Sequence, residues 1–373
     1  MIYLNNAATS YPKPKAVTEA FVRAVNAPPC GQFRSSETEG SDIVADCKNL
    51  LGELLGIENR DRIYMTSGST EALNTIIKGL CVPAGQIITT ATEHNSVLRP
   101  LYNLPDDTGE PFILPCDESG LVAPELFEEE ARKGKYRVIV LNHCSNVTGA
   151  VQDAAAFGAI AGKYGLIFVL DASQSAGCLP VAADEWQADA LAFTGHKSLL
   201  GLQGTGGFYV REGVRLKPLK YGGTGLDSSR VRYEEGQYEY EAGTQNIAGI
   251  IALSEGIRFI LNEGLQNIMR CESELITLLL SLLSEIRGVK IYGSRLKERG
   301  PVLSFGMDKL PPADISYILQ NSFGIVTRAG FHCSPFIHRY IGSGEKGTVR
   351  ISVSCFNKRE DILALSGALK ELI

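Results

Sequence analysis

A lysine and an aspartate stand at the ends of two apolar segments, and their residue types could together support amine chemistry. Lys197 follows the apolar residues 190–193, and Asp171 ends the apolar residues 166–170. A lysine amine can form a Schiff base with an aldehyde cofactor. A buried carboxylate can keep a pyridine nitrogen protonated, which makes the ring an electron sink. Together the two side chains predict pyridoxal phosphate (PLP) as the cofactor.

A hydroxyl-rich segment is a candidate phosphate site. Residues 66–72, Thr-Ser-Gly-Ser-Thr-Glu-Ala, follow another apolar segment and open a helical pattern. A helix N-terminus offers backbone amides and a positive dipole end, and Ser69 and Thr70 add hydroxyl donors. The alternative is N-capping by Ser67 or Ser69. The segment lacks the Gly-x-x-x-x-Gly-Lys pattern of a nucleotide-binding loop.

Three further polar side chains follow apolar segments. His94 could stack on a planar ring or move a proton, and the alternative is a structural histidine satisfied by the backbone. Asn146 could hydrogen-bond a phenolic oxygen or a substrate carboxylate. Gln174, three residues after Asp171, could face the same ligand. Four of the five histidines lie at or beside such segments, which favours function over structure for the group.

Seven apolar segments between residues 60 and 210 must position these side chains. Their hydrophobicity is continuous rather than alternating, which predicts strands covered on both faces in a mostly parallel sheet with helices on either side. Open α/β sheets bind ligands at the carboxyl ends of their strands, where the polar clusters stand. The segments are residues 62–65, 86–90, 111–114, 137–141, 166–170, 190–193 and 207–210.

The C-terminal third predicts a second, smaller α+β domain. Residues 248–286 have a long helical pattern with a break at Gly264. Strand-like residues 289–292, 302–305 and 349–353 follow. We therefore expect the domain change near residue 245, and a length of 373 residues also favours two domains.

The amino-acid composition and charge limit the classes to which this protein could belong. Hydrophobic residues make up 44% of the chain and charged residues 21%, as in ordinary globular proteins. A net charge of -6, with no dense lysine-arginine run, argues against a nucleic-acid partner. The longest apolar run, residues 275–286, is short of the roughly 20 residues that span a bilayer. No secretory signal is visible at the N-terminus, so we expect a cytoplasmic protein without a membrane partner.

The nine cysteines are scattered, with no Cys-x-x-Cys pair. This spacing is typical of reduced thiols and argues against a zinc ribbon or a thioredoxin-like motif. No metal is expected.

Ordered motifs along nearly the whole chain resemble the class V aminotransferase group of fold-type I PLP enzymes. Within that group the chain is most similar to cysteine desulfurases and selenocysteine lyases. The matching segments are residues 3–9, 66–72, 93–94, 145–149, 171–177, 195–197, 204–207, 240–244 and 347–350. The resemblance implies that the first dozen residues pack with the C-terminal part. The expected domains are thus a large PLP-binding domain, 13–245, and a small domain formed by 1–12 and 246–373.

The resemblance also implies roles around the ring of the cofactor. Lys197 bonds to the cofactor and later shuttles the Cα proton of the substrate. His94 stacks on the ring, Asp171 pairs with its nitrogen, and Gln174 contacts its phenolic oxygen.

The remaining implied roles concern the phosphate, the substrate and a second subunit. Thr70, Thr194 and His196 hold the phosphate. Thr244 reaches a cofactor bound by the other subunit, which implies a homodimer. Arg350 binds the substrate carboxylate, a task suited to its planar two-pronged donor set.

Residues 328–334, Arg-Ala-Gly-Phe-His-Cys-Ser, resemble the Arg-x-Gly-x-His-Cys segment of group II desulfurases. In that interpretation Cys333 attacks the sulfur of the substrate, alanine leaves, and a persulfide remains on Cys333. The alternative is an inert thiol in a PLP-dependent aminotransferase, epimerase or lyase acting on another amino acid. A zinc site from His332, Cys333 and His338 is a further alternative, for which no fourth ligand is apparent.

The sequence thus predicts a dimeric PLP-dependent cysteine desulfurase that converts L-cysteine to L-alanine. Sulfur would pass to an acceptor protein, as in iron-sulfur cluster assembly. Selenocysteine is an equally open substrate. A non-enzymatic scaffold of the same fold is a third hypothesis, and the intact pair of Lys197 and Asp171 argues against it.

Overall fold

The computed structural model describes residues 1–27, 43–223, 231 and 240–372. In chain order its strands are β1 (Ile2–Tyr3), β2 (Ile63–Thr66), β3 (Ile87–Thr90), β4 (Phe112–Leu114), β5 (Val138–Asn142), β6 (Ile167–Asp171), β7 (Ala190–Thr194), β8 (Gly206–Val210), β9 (Val289–Tyr292), β10 (Val302–Met307), β11 (Ile325–Val326), β12 (Arg328–Gly330) and β13 (Thr348–Ser352). The helices are α1 (Lys15–Asn26), α2 (Ile43–Leu55), α3 (Ser69–Gly79), α4 (Asn95–Tyr102), α5 (Pro124–Ala131), α6 (Ala154–Tyr164), α7 (Ile247–Glu263), α8 (Leu265–Ser284), α9 (Pro312–Phe323), α10 (Ile337–Tyr340) and α11 (Arg359–Lys370).

A seven-stranded sheet in the order β2-β8-β7-β6-β5-β3-β4 forms the larger layer. The pairs β3–β4, β3–β5, β5–β6 and β6–β7 are parallel. Strand β8 runs antiparallel to both of its neighbours, β2 and β7. Because the other strands point the same way, β2, β5, β6 and β7 end at one edge of the sheet, and the polar clusters gather there.

The two faces of this sheet pack into different hydrophobic cores. In β5, Ile139 and Leu141 belong to one core, and Val138 and Val140 belong to the other. All five residues of β5 are buried. Alternate side chains of a strand point to opposite faces, so a strand covered by helices on both faces must be apolar throughout. This explains the continuous apolar segments of the sequence.

A four-stranded antiparallel sheet, β12-β13-β10-β9, has a separate core that includes Leu4, Phe305 and Ile351. Strand β1 pairs in parallel with β11, which fastens the N-terminus to the C-terminal region. The domain bounds drawn from the sequence stay a prediction. The core of the larger sheet continues past residue 245, because it includes Ile250, Leu253, Ile257 and Ile260 of α7 and Ile268 of α8.

The predicted α/β fold class is confirmed, and all seven predicted strands of the larger sheet are present to within one residue at each end. Strands β1, β11 and β12 were not predicted: β1 and β11 have two residues each, too few to show a period, and β12 is not an apolar segment. Among the described residues, no helix is long and apolar enough to cross a bilayer.

Candidate active site

A cavity of about 210 Å³ opens at the carboxyl edge of the larger sheet. Asn142 and Asp171 end the paired strands β5 and β6, and Lys197 follows the end of β7. The small sheet supplies Arg328 and Arg350 from the other side, and the N-terminal segment supplies Ala7 and Ala8. The cavity therefore lies between the two sheets, and residues far apart in the sequence line it.

Most of the residues predicted to hold cofactor or substrate line this single cavity. They are Ser69, Thr70, His94, Asn146, Asp171, Gln174, His196, Lys197 and Arg350. Three others lie elsewhere among the described residues. Thr194 is buried at the end of β7 and is not among the lining residues, and Cys333 lies next in sequence to the lining residue His332. Thr244 is exposed and lines a second cavity of about 150 Å³.

Asp171 is a buried carboxylate facing the cavity. Its Oδ1 accepts hydrogen bonds from the backbone N–H (2.9 Å) and the hydroxyl of Ser173. Burial raises the pKa of Asp171, although the Ser173 hydrogen bonds and the charge of Lys197 act in the opposite direction. A positively charged N–H donor in the cavity would stabilise the ionised carboxylate. A protonated pyridine nitrogen has that chemistry.

The turn that carries Lys197 is held from the N-terminal segment. The Ser10 hydroxyl donates to Lys197 O at 2.7 Å, and the Ser10 backbone N–H donates to His196 O at 2.9 Å. Lys13 Nζ also donates to His196 O, at 3.1 Å. These contacts fix the backbone of Lys197 while its side chain faces the cavity. Burial lowers the pKa of Lys197 to about 8, and the nearby Asp171 carboxylate opposes this shift.

This lowered pKa predicts the pH dependence of amine reactivity in the cofactor-free protein. Only the neutral amine reacts with an aldehyde, so reductive methylation of Lys197 should rise with pH and reach half its maximum near pH 8. Asp171→Asn removes the charge that raises this pKa, so the midpoint should move to lower pH. Peptide mass spectrometry measures the methylation of Lys197 as a function of pH in the wild type and in Asp171→Asn. A midpoint near the ordinary lysine value of 10.5, or none of this shift in the variant, contradicts the electrostatics described.

His94 makes the structural hydrogen bond that the sequence left as one alternative, and it also lines the cavity. Its Nδ1 accepts a hydrogen bond from the Ser96 backbone N–H at 3.0 Å, so the ring caps α4. The neutral ring must then carry its proton on Nε2. Burial, reinforced by the charges of Lys197 and Arg328, lowers the pKa of His94 to about 3, so the ring is neutral near pH 7. The ring also lines the cavity, and its predicted stacking role stays a prediction.

The N-terminus of α3 faces the cavity through Ser69 and Thr70. The N-cap residue is Gly68, without a side-chain cap. Ser67 instead donates its hydroxyl to Glu71 Oε2 at 2.7 Å. The alternative of N-capping by Ser67 or Ser69 is therefore wrong, because the chain enters the helix at Gly68 with φ of 153°. The hydroxyl of Thr70 contacts that of Ser96 at 2.9 Å.

Arg350 is a fully buried guanidinium at the cavity wall. Its Nη1 donates to Asn146 O at 3.1 Å, and its Nη2 donates to Asn5 Oδ1 at 3.0 Å. Both acceptors are neutral, so no carboxylate partner neutralises the charge of Arg350 through these contacts. Burial and the nearby Arg328 lower the pKa of Arg350 to about 9. The arrangement presents a desolvated cation that suits an incoming carboxylate.

Cys333 lies beside the second arginine of the cavity. Arg328 Nη2 is 3.3 Å from Cys333 Sγ. The thiol is partly exposed, in contrast to the buried Cys47, Cys144 and Cys178. The zinc alternative is wrong for this loop: among the described residues, no group of three or more potential metal ligands is found, and His332 Nε2 instead contacts the Thr348 hydroxyl at 2.8 Å.

Several atoms around the cavity fit a polar, phosphorylated ring. Buried side-chain atoms without a hydrogen-bond partner among the described residues include Asn142 Oδ1, His196 Nδ1, His332 Nδ1 and Arg350 Nε. All four side chains line the cavity, so it holds unused donors and acceptors as well as the N-terminus of α3. Since buried polar groups are normally hydrogen-bonded, these atoms favour a polar ligand. The donor set, the amine of Lys197 and the carboxylate of Asp171 fit PLP.

The fold and this site define a PLP-dependent enzyme of fold type I, and comparisons with known proteins agree. The family model described as Aminotransferase class-V matches residues 2–365. The chain belongs to this family, and PLP is its cofactor.

Within this family, the chain is similar to curated relatives and a solved structure that are named as cysteine desulfurases. A "probable cysteine desulfurase" of Methanothermobacter thermautotrophicus is 34% identical over 319 residues, covering 84% of this chain and 79% of that protein. One from Pyrococcus abyssi is 32% identical over 387 residues, covering 100% and 94%. The apo structure of a cysteine desulfurase from Thermococcus onnurineus NA1 superposes with a TM-score of 0.89 at 31% identity, covering 100% of this chain and 94% of that one.

Some residues of the cavity were missed by sequence reasoning. Ser96, Asn142, Ser173 and Arg328 line it as well. Each is within four residues of a predicted site residue or belongs to the Cys333 segment, so including the neighbours of each predicted residue to that distance would have found them. Ala7 lies inside the matching segment 3–9, but no site role was predicted for it, because the long-range pairing of the N-terminus brings it to the cavity.

Proposed function

We propose that this enzyme is a cysteine desulfurase that converts L-cysteine to L-alanine and receives the sulfur on Cys333 as a persulfide. The observation that carries the proposal is the contact of Cys333 Sγ with Arg328, whose side chain lines the cavity shared by Lys197 and Arg350. The names of the relatives support the same reaction. An amine and a carboxylate-binding cation thus line one substrate-sized space, and a nucleophilic sulfur lies beside it.

Each site residue would have a separate role in the reaction. When bound, PLP supplies an aldehyde for the substrate amine and a ring that withdraws electrons from the substrate Cα. Lys197 Nζ would hold the cofactor and then move the Cα proton, and the Asp171 carboxylate would pair with the ring nitrogen. Arg350 binds the substrate carboxylate and thereby directs the substrate thiol towards the Cys333 side. Ser69, Thr70, Thr194 and His196 would hold the phosphate end.

Sulfur transfer balances without an external oxidant. The Cys333 thiolate forms an S–S bond to the substrate sulfur while the substrate Cβ–S bond breaks. The electron pair of that bond stays on the carbon, which takes up a proton and leaves as alanine. Two thiols thus give one persulfide and one methyl group. Positioning of Cys333 Sγ in line with the breaking bond is the main requirement.

The assembly and the destination of the sulfur belong to the same proposal. The exposed position of Thr244, in a cavity separate from that of Lys197, supports a homodimer in which it reaches the partner's cofactor. The partial exposure of Cys333 supports transfer to an acceptor protein. The eight described cysteines are all free, which supports a reducing, cytoplasmic location.

A substrate panel tests the proposal. The PLP-loaded protein should form alanine and sulfide in equal amounts from L-cysteine in the presence of a thiol reductant. L-selenocysteine, assayed in parallel for alanine and selenide, establishes the preferred chalcogen. Formation of pyruvate, of a D-amino acid or of a transaminated product, without sulfide, would instead support the alternative lyase, epimerase or aminotransferase.

A further inference from the structure

The backbone of the Cys333 loop adopts a conformation that few side chains tolerate. His332 has a φ of 52° and Cys333 has a φ of 62°, two consecutive residues in the left-handed region. Non-glycine residues rarely adopt this region, and such strain persists only where the surrounding structure enforces it. Contacts with the surrounding structure must therefore hold the loop in this conformation. The same conformation determines the direction of the Cys333 side chain.

Three short hydrogen bonds hold this loop. Asn146 Nδ2 donates to His332 O at 2.7 Å, and Ser334 Oγ donates to Asn146 Oδ1 at 2.7 Å. The Asn95 backbone N–H donates to Cys333 O at 2.7 Å. Asn146 and Ser334 are buried, so water does not compete for these bonds. The amide of Asn146 thus spans the strained turn, with one end on each side of Cys333.

Asn146 also contacts the predicted carboxylate site. Its backbone oxygen accepts a hydrogen bond from Arg350 Nη1 at 3.1 Å. The same residue therefore connects the group that would orient the substrate with the loop that would carry the nucleophile. A direct ligand contact, as the sequence predicted for Asn146, would have to use its second N–H or a remaining lone pair on Oδ1.

We propose that Asn146 is the positioning residue for the Cys333 nucleophile, acting through the side-chain hydrogen bonds to His332 and Ser334 that hold the loop in its left-handed turn. The interpretation of its catalytic effect rests on the proposed desulfurase function. The structural part of the proposal, that the hydrogen bonds of Asn146 hold the loop, can be measured without turnover.

Ser334→Ala is the informative variant, because it removes one loop contact and leaves Asn146 intact. We expect Ser334→Ala and Asn146→Ala each to lower kcat for L-cysteine by about tenfold or more, because misplacement of a reacting atom by about 1 Å can cost a hundredfold. KM should change by less than about threefold, since carboxylate binding stays with Arg350. The double variant should be about as slow as Asn146→Ala alone, because both substitutions remove one network. Ser254→Ala, which removes another buried serine hydrogen bond, is the matched control and should retain the wild-type kcat.

Hydrogen exchange of the PLP-loaded protein without substrate gives the second readout. Peptides covering residues 331–336 should exchange faster in Ser334→Ala and Asn146→Ala than in wild type, whereas those covering β10 should not. Unchanged loop exchange in both variants overturns the inference. So does a raised KM or weakened PLP absorbance in Asn146→Ala with a wild-type Ser334→Ala, because Asn146 would then act on the ligand. If wild type forms no alanine from cysteine, the proposed function fails while the exchange experiment still decides the role of Asn146.

Discussion

Cys333→Ala is expected to abolish alanine and sulfide formation from L-cysteine while the visible absorbance of bound PLP stays as in wild type. Loss of the nucleophile leaves the substrate sulfur without an acceptor, so the rate should fall by at least about a thousandfold. PLP binding should persist, because Cys333 is not among the residues that line the cavity. Coupled assays for alanine and sulfide, together with an absorbance spectrum, measure both effects.

Cys81→Ala is the matched control for this substitution. Cys81 is an exposed thiol that also has a positive φ, 54°, so the control removes a thiol from a comparable backbone conformation outside the cavity. It should retain wild-type activity. If Cys333→Ala formed alanine at the wild-type rate, Cys333 would not be the nucleophile. The alternative classes of PLP-dependent enzyme would then be favoured.

Lys197→Arg is expected to have the other very large effect. Arginine keeps a positive charge opposite Asp171 but has no amine that can be deprotonated near neutral pH, so it can neither bond to the cofactor nor move the Cα proton. Turnover of cysteine should fall by at least about ten-thousandfold, since two functions are lost together. The measurement is the initial rate with saturating PLP and cysteine.

Borohydride reduction distinguishes loss of the covalent bond between Lys197 and PLP from loss of the fold. In wild type, reduction should fix PLP to the peptide that contains Lys197, and in Lys197→Arg no peptide should carry it. Lys163→Arg, which alters a surface ion pair with Glu128, should be labelled like wild type. Stable labelling of a different lysine in wild type would contradict the assignment of Lys197.

The sheet and its polar edge could be predicted from sequence because each depends on local composition. Residues 138–141 are apolar throughout, so the burial of β5 on both faces could be predicted from this segment alone. The gathering of Asn146, Asp171 and Lys197 at one edge follows from the parallel direction of the strands, without knowledge of their order. The motifs that resemble a known family added roles to these positions, and those individual roles stay predictions.

The contacts that cross between distant parts of the chain could not be predicted in the same way. Ser10 holds the backbone of Lys197, and Asn5 accepts from Arg350, yet the N-terminal residues show no period that indicates either contact. The left-handed residues His332 and Cys333 likewise could not be predicted, because neither is a glycine and the hydrogen bonds to their loop come from Asn146 and Asn95, far away in the sequence. Such features depend on tertiary packing, which overrides local preference.

Peptide mass spectrometry after a single turnover of the PLP-loaded enzyme with L-cysteine, in the absence of reductant, tests the role of Cys333 most directly. We expect the peptide containing Cys333 to gain the mass of one sulfur atom, a thiol reductant to reverse the gain, and one alanine to appear for each modified chain. Alanine release with the added sulfur on another cysteine, or on none, would contradict this role.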